Sequence, residues 1–281
     1  MNIFDLNIQE ADVLRALQVT KKQSQRSLAQ QTALSLGAVN QALRHLQECG
    51  FWDGKQLTPK ARAQLRHCQP KRAVILAAGF GMRMIPINSE APKALVQVHG
   101  ETLIERQIRQ LHEAGIKNIA IVVGFMKEQF EYLIDRYGVH LIVNAEYARK
   151  NNLSSLALAD NLENCYVVPA DVYCKENPFR RHELYSWYMV SDQMAAESPL
   201  RINRRNELVY TLSKKNGNAL IGIAYFCALD GKRLQKRLRV LAKDPSYDTQ
   251  FWEAGIQNKT GMEIAPRQVK ENRFVEINTY E

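Results

Sequence analysis

With 281 residues the chain is long enough for one large domain or two smaller ones, and its 46% apolar and 24% charged composition is that of an ordinary soluble globular protein. The longest apolar run, Ile119 to Met126, falls far short of the roughly 20 residues of a membrane span, and Met1-Asn-Ile-Phe-Asp-Leu6 lacks the cationic start and apolar core of a secretion signal, so a cytoplasmic protein without a membrane partner is expected. A net charge of +9 favours anionic partners, nucleotides and nucleic acid alike, while five scattered cysteines without Cys-x-x-Cys spacing exclude a disulfide frame and a zinc site.

Residues 1–69 are expected to form a small domain of their own. Glu10 to Leu17 and Ser24 to Ala33 carry apolar residues at helical spacing, and Ser35 is placed to cap a third helix in which Val39, Leu43 and Leu46 share a face. Phe51-Trp52, the turn Asp53-Gly54-Lys55 and Gln56-Leu57 predict a small hairpin. Thr58-Pro59 then opens another helix, with a cap followed by proline at the first helical position. This order resembles the winged helix-turn-helix family, which would turn Asn40, Gln41 and Arg44 of the third helix outward and set Lys55 at the wing tip. DNA is one partner so implied. A docking or dimerisation module of the same fold is the other reading, because Arg44 and His45 supply few cations for phosphate contact.

From residue 70 to 281 strands alternate with helices, the pattern of a mainly parallel sheet in an α/β domain. Strands are expected at Ala73–Leu76, Ala94–Val98, Lys117–Val123, Val139–Asn144 and Tyr166–Pro169. Helices are expected at Glu101–Ala114 and Glu128–Tyr137, closed by Gly115 and Gly138, and more antiparallel strands near Tyr185–Ser191, Glu207–Leu212 and Ile221–Cys227.

The first strand runs into Ala77-Ala78-Gly79-Phe80-Gly81, with Arg83 and Lys93 following. Small residues let backbone N–H groups approach phosphate oxygens, and two cations beside such a turn suit a triphosphate. An ordinary strand-to-helix turn with two solvated basic residues is the alternative. Ligands of open parallel sheets collect at the carboxyl ends of the strands, where Asp171 follows the strand Tyr166–Pro169. Read from position, Asp171 is a metal carboxylate or a turn cap, and Asp248 a second carboxylate or a helix cap.

Leu76-Ala-Ala-Gly-Phe-Gly-Met-Arg83, Pro92-Lys93-Ala-Leu95 and His99-Gly100 resemble the signature of the nucleotidyltransferase superfamily. Gly124–Tyr132, Asn151–Leu156, Ala170-Asp171-Val172, Gly222–Phe226 and Tyr247-Asp248-Thr249 are similar to bacterial CTP:phosphocholine cytidylyltransferases. The resemblance implies a Rossmann-like mixed sheet in which Leu76, Ala77, Ala78, Gly79, Phe80 and Gly81 cradle CTP, with Asn152 and Ser155 beside the nucleotide, a pair that a buried polar turn also explains. It also implies that Arg83 grips the β- and γ-phosphates, that Lys93 sits by the α-phosphate, and that Asp171 and Asp248 hold Mg²⁺. The second substrate so implied is a small phosphorylated amino alcohol such as phosphocholine. Its ammonium would be received by an aromatic cage with a nearby acid, for which Tyr225, Tyr247 and Glu197 stand, with Phe226 and Trp252 as further aromatics. Aromatic stripes on strands also serve as core. Ser198-Pro199 and Tyr247 replace tryptophans usual in the choline-using relatives, which would also fit a primary amine such as phosphoethanolamine or 2-aminoethylphosphonate. A nucleotide-sensing transcriptional regulator and a sugar-1-phosphate nucleotidyltransferase are the alternatives.

Overall fold

The computed structural model describes residues 6–18, 24–79, 91–196, 198–210, 216–257 and 261–277. The chain divides into two compact units, Met1–Pro70 with His182–Tyr185, and Lys71–Arg181 with Ser186–Glu281.

The first unit holds α1 (Ile8–Ala16), α2 (Gln25–Thr32), α3 (Leu36–Glu48) and α4 (Pro59–His67). Each begins on a side chain that accepts a backbone N–H of the first turn: Asn7, Ser24, Ser35 and Thr58. Such caps satisfy donors that the helix itself leaves unpaired, and each contributes about 1 kcal/mol. The expected hairpin is reduced to one antiparallel bridge, Trp52 with Leu57, and Asp53 closes its turn by accepting from the N–H groups of Lys55 and Gln56. Leu14, Leu28, Val39, Leu46, Phe51 and Leu65 form the core of this unit together with Leu184, which arrives from far along the chain. Tyr185, expected to open a strand, belongs here too: its hydroxyl donates to Asp12 at 3.0 Å, while the Glu183 N–H donates to the Cys68 carbonyl.

The second unit is built on β1 (Arg72–Ala77), with the two-residue strands β2 (Gln97–Val98) and β3 (Glu101–Thr102) leading into α5 (Leu103–Glu113). Next come β4 (Asn118–Val123), α6 (Tyr132–Tyr137), β5 (His140–Val143), α7 (Asn152–Ala157), β6 (Cys165–Pro169) and β7 (Val172–Cys174). The remaining elements are β8 (Ser186–Ala195), β9 (Leu200–Ile202), β10 (Leu208–Tyr210), β11 (Gly217–Phe226), α8 (Ala228–Leu241), β12 (Ile264–Val269) and β13 (Phe274–Glu276). Seven strands form one sheet in the order β12-β8-β11-β6-β1-β4-β5. Only β11 runs against its neighbours, so the sheet is mixed with a parallel majority.

The apolar runs of β1, β4 and β6 are buried on both faces, as central parallel strands require. Helix α5 packs Leu103, Ile104, Ile108 and Leu111 inward and is closed by Gly115 at φ +91°, a conformation that favours glycine. Ala94–Val98 is not one strand: Pro92 accepts from the Leu95 N–H, and Lys93–Leu95 is a 3₁₀ turn preceding β2. Helices α7 and α8 have no counterpart in the sequence reading.

Candidate active site

Strands β1 and β6 are parallel neighbours, with Leu76 beside Pro169, so the turns that follow them open at the same edge of the sheet. The Ala170 N–H donates to the Leu76 carbonyl at 3.1 Å and the Phe125 N–H to the Ala78 carbonyl at 3.2 Å, fixing the turn after β1 between the strand ends. Gly124 permits this approach: a Cβ there would lie 2.6 Å from the Tyr147 side chain and 2.8 Å from the Ala78 carbonyl oxygen. The result is a cleft of about 540 Å³ at the carboxyl ends of the strands.

Of the residues expected at the nucleotide, Leu76, Ala77, Ala78, Gly79, Asn152 and Ser155 line this cleft, together with Lys93 and Asp171. Lys93 Nζ lies 2.9 Å from Asp171 Oδ2, the lysine side chain mostly buried and the carboxylate about one-third exposed. Phe80, Gly81, Arg83 and Glu197 lie outside the described residues.

Asp248 does not itself line the cleft. Its carboxylate pairs with Lys150 Nζ at 3.0 Å, and Lys150 and Thr249 are both lining residues. Helix α7 ties that segment down: the Asn151 N–H donates to the Asp248 carbonyl, the Asn151 amide to the Thr249 carbonyl, and Asn152 Oδ1 accepts from the Trp252 N–H at 2.8 Å. Asn144, buried at the end of β5, donates to the hydroxyls of Ser154 and Ser155. Two lysine–carboxylate pairs therefore serve the same cleft, one after β6 and one beside α7.

The expected aromatic cage is corrected at one position, Tyr225. Tyr225 is 0% exposed and pairs across the sheet with Tyr166 and Trp187, its hydroxyl near Asn164, so it is core. Tyr247 packs against the main core and is not among the lining residues. Of the further aromatics, Phe226 and Trp252 are buried and meet edge to face. Among the described residues, the rings that line the cleft are Tyr147 and Phe251, the latter 58% exposed. In Phe251-Trp252 the sequence places two aromatics side by side, and the structure turns the second inward and the first outward. Lys150, Asn144 and Tyr147 carried no recognisable sequence signal.

The site suits a divalent cation of the Mg²⁺ type. Among the described residues no group of three or more His, Cys, Asp or Glu side chains is gathered to hold a metal. Mg²⁺ needs no such cage, since it takes one or two carboxylates and completes its shell with phosphate oxygens and water. Asp171 offers such an oxygen inside the cleft, whereas Asp248 stands outside its lining, paired with Lys150.

Matches to known proteins assign this sheet, with its small-residue turn and lysine–carboxylate pair at the ends of adjoining parallel strands, to the nucleotidyltransferases. The family model described as MobA-like NTP transferase domain matches residues 73–184, and that described as winged helix-turn-helix DNA-binding matches residues 6–51. Over 221 residues the chain is 34% identical to choline-phosphate cytidylyltransferase of Streptococcus pneumoniae, covering 74% of this chain and 93% of the relative. It is 32% identical over 230 residues to 2-aminoethylphosphonate cytidylyltransferase of Lancefieldella rimae, covering 76% and 90%. A solved structure of CTP:phosphocholine cytidylyltransferase from Streptococcus pneumoniae superimposes with a TM-score of 0.69 at 33% identity, covering 75% of this chain and 95% of that one. The chain belongs to the choline-phosphate cytidylyltransferase family of nucleotidyltransferases, and carries a winged helix-turn-helix region before the catalytic fold.

Proposed function

We propose that this protein transfers the cytidylyl group of CTP to a small phosphate or phosphonate bearing an ammonium head, of the phosphocholine and 2-aminoethylphosphonate type, and releases pyrophosphate. The observation that carries the reading is the Lys93–Asp171 pair in the strand-end cleft of a chain of this family. An oxygen of the acceptor's phosphate attacks the α-phosphorus in line. The bond from that phosphorus to the bridging β-oxygen breaks, and its electron pair leaves with pyrophosphate, so no protein nucleophile is required.

The chain's task is to bring two anions together and hold the charge that develops between them. The backbone from Ala77 to Gly79 offers N–H groups to phosphate oxygens, and Lys93 stands ready for the α-phosphate. Asp171 and Asp248 would hold Mg²⁺, which when bound supplies charge neutralisation on the phosphates. Lys150 holds the Asp248 carboxylate in place. Tyr147 and Phe251 offer ring faces to the ammonium of the acceptor, as cation–π recognition requires. Pyrophosphate release from CTP, measured with phosphocholine, phosphoethanolamine and 2-aminoethylphosphonate at varied Mg²⁺, tests the reading. Turnover with at least one acceptor, abolished by chelation, is expected; inactivity of folded protein with all three overturns it.

A second activity is favoured by the exposed Asn40, Gln41 and Arg44 on α3, with Lys55 at the wing. These residues suit base-edge and phosphate contacts in a DNA major groove. A shift of upstream DNA that survives competitor DNA at stated salt supports this; a shift erased by competitor removes it.

A further inference from the structure

Asp171 reaches the cleft from a two-residue link, Ala170-Asp171, between β6 and β7. A carboxylate on so short a link is only as well placed as the backbone on either side of it. Helix α5 supplies a specific restraint. Gln107 is 1% exposed, and its Nε2 donates to the Pro169 carbonyl at 2.9 Å and to the Val172 carbonyl at 2.9 Å. Both amide hydrogens are thus spent on the carbonyls of the two residues that flank the link. Two other contacts close the frame: the Ala170 N–H donates to Leu76, and the Ile277 N–H donates to the carbonyl of Asp171 itself.

Gln107 Oε1, by contrast, is buried with no hydrogen-bond partner among the described residues. A buried glutamine that leaves its acceptor unpaired is a costly choice for a core position, where an apolar side chain would fill the space without that penalty. Its two donors therefore account for its presence. Gln110, one turn later on the same helix, is a built-in comparison: it is equally buried and also has an unpartnered Oε1, but it donates to Cys174 at 3.3 Å, three residues beyond the aspartate.

We infer that Gln107 is a positioning residue for the reaction, setting the Asp171 carboxylate by clamping the carbonyls on both sides of its link. The inference rests on the reading of Asp171 as a metal carboxylate. Partners that orient a metal ligand are worth about 10- to 100-fold in metal affinity or activity, which sets the expected size of the effect.

The test measures Mn²⁺ affinity of the whole chain in the presence of a non-hydrolysable CTP analogue, alongside kcat, acceptor KM and thermal midpoint. It compares Gln107→Met, Gln110→Leu and Asp171→Asn. Gln107→Met should weaken Mn²⁺ binding and lower kcat, each by about tenfold or more, with acceptor KM little changed. Gln110→Leu should leave Mn²⁺ affinity near that of the parent even where its thermal midpoint falls as far. Should Gln107→Met fail to fold, Gln107→His, which keeps one N–H donor, should show a smaller loss of the same kind. Parental Mn²⁺ affinity in Gln107→Met or Gln107→His, with that affinity lost in Asp171→Asn, overturns the inference alone. Parental affinity in Asp171→Asn overturns the metal reading and this inference with it.

Discussion

Lys93 Nζ and Asp171 Oδ2 stand 2.9 Å apart, joining the 3₁₀ turn Lys93–Leu95 to the turn that follows β6. Neither side chain is fully solvated, so the contact is firmer than a surface ion pair. It holds a cation and an anion at one point of the cleft, which on the proposed function serve the α-phosphate and the metal respectively. Lys93→Met should lower kcat by about 10²- to 10³-fold, as loss of a transition-state charge contact does, with a smaller change in CTP KM. Steady-state kinetics of the purified variant check this, and an unchanged kcat would remove Lys93 from the chemistry.

Lys150 and Asp248 form a second such pair, tied to the start of α7 through the Asn151 N–H, which donates to the Asp248 carbonyl. Because both groups are partly exposed, their pairing contributes at most about 1 kcal/mol to stability. Lys150→Met should therefore melt close to the parent while raising CTP KM several-fold. A large drop in thermal midpoint with unchanged KM would make the pair structural only.

The proposed contact with the acceptor is tested by two aromatic substitutions of opposite expectation. Phe251→Ala removes an exposed ring from the cleft and should raise acceptor KM about fivefold, the equivalent of a cation–π contact of roughly 1 kcal/mol, with CTP KM unchanged. Tyr225→Phe alters a core hydroxyl 3.4 Å from Asn164 and should leave the choice between choline and ethanolamine acceptors untouched. Competition assays between the two acceptors read both outcomes.

Glu253 introduces a pH dependence of stability. It is buried beside Trp252, and burial pushes its carboxyl up to about 7, although the Tyr188 hydroxyl, donating at 2.7 Å, pulls the other way. Its second oxygen has no partner among the described residues. The folded state thus retains a proton that the unfolded chain, with a value near 4.5, gives up. Stability should fall as pH rises from about 4.5 to about 7, by roughly 3 kcal/mol in all. Glu253→Gln should flatten that slope in urea titrations at pH 5 and pH 8, and an unaltered slope would assign it elsewhere.

Gly124→Ala probes the closeness of the strand ends. The added methyl would meet the Tyr147 side chain and the Ala78 carbonyl well inside contact distance, and backbone cannot yield as a flexible side-chain tip can. A loss of about 1–3 kcal/mol in chemical denaturation is expected, with a raised CTP KM.

Elements with strong local chemistry were legible before the structure. The caps at Ser35 and Thr58, the apolar runs of β1 and β4, and the stop at Gly115 each depend on a few neighbouring residues. Long-range placement was not. Nothing local tells Leu184 and Tyr185 to join the first core, or tells Phe251 rather than Trp252 to face the cleft. Tyr225 looked like a cage residue because an aromatic on a strand reads alike whether it faces a ligand or a second ring. Gln107 was invisible for the same reason, since its meaning lies in two carbonyls more than sixty residues away.

The most direct measurement is ³¹P NMR of CTP and Mg²⁺ with each acceptor, run with the parent protein and with Asp171→Asn. The account predicts that the parent converts the nucleotide to a cytidine diphosphate ester or the corresponding phosphonate anhydride, with one pyrophosphate formed per product, and that Asp171→Asn forms neither. No coupled product with any acceptor, or equal product from Asp171→Asn, would contradict it.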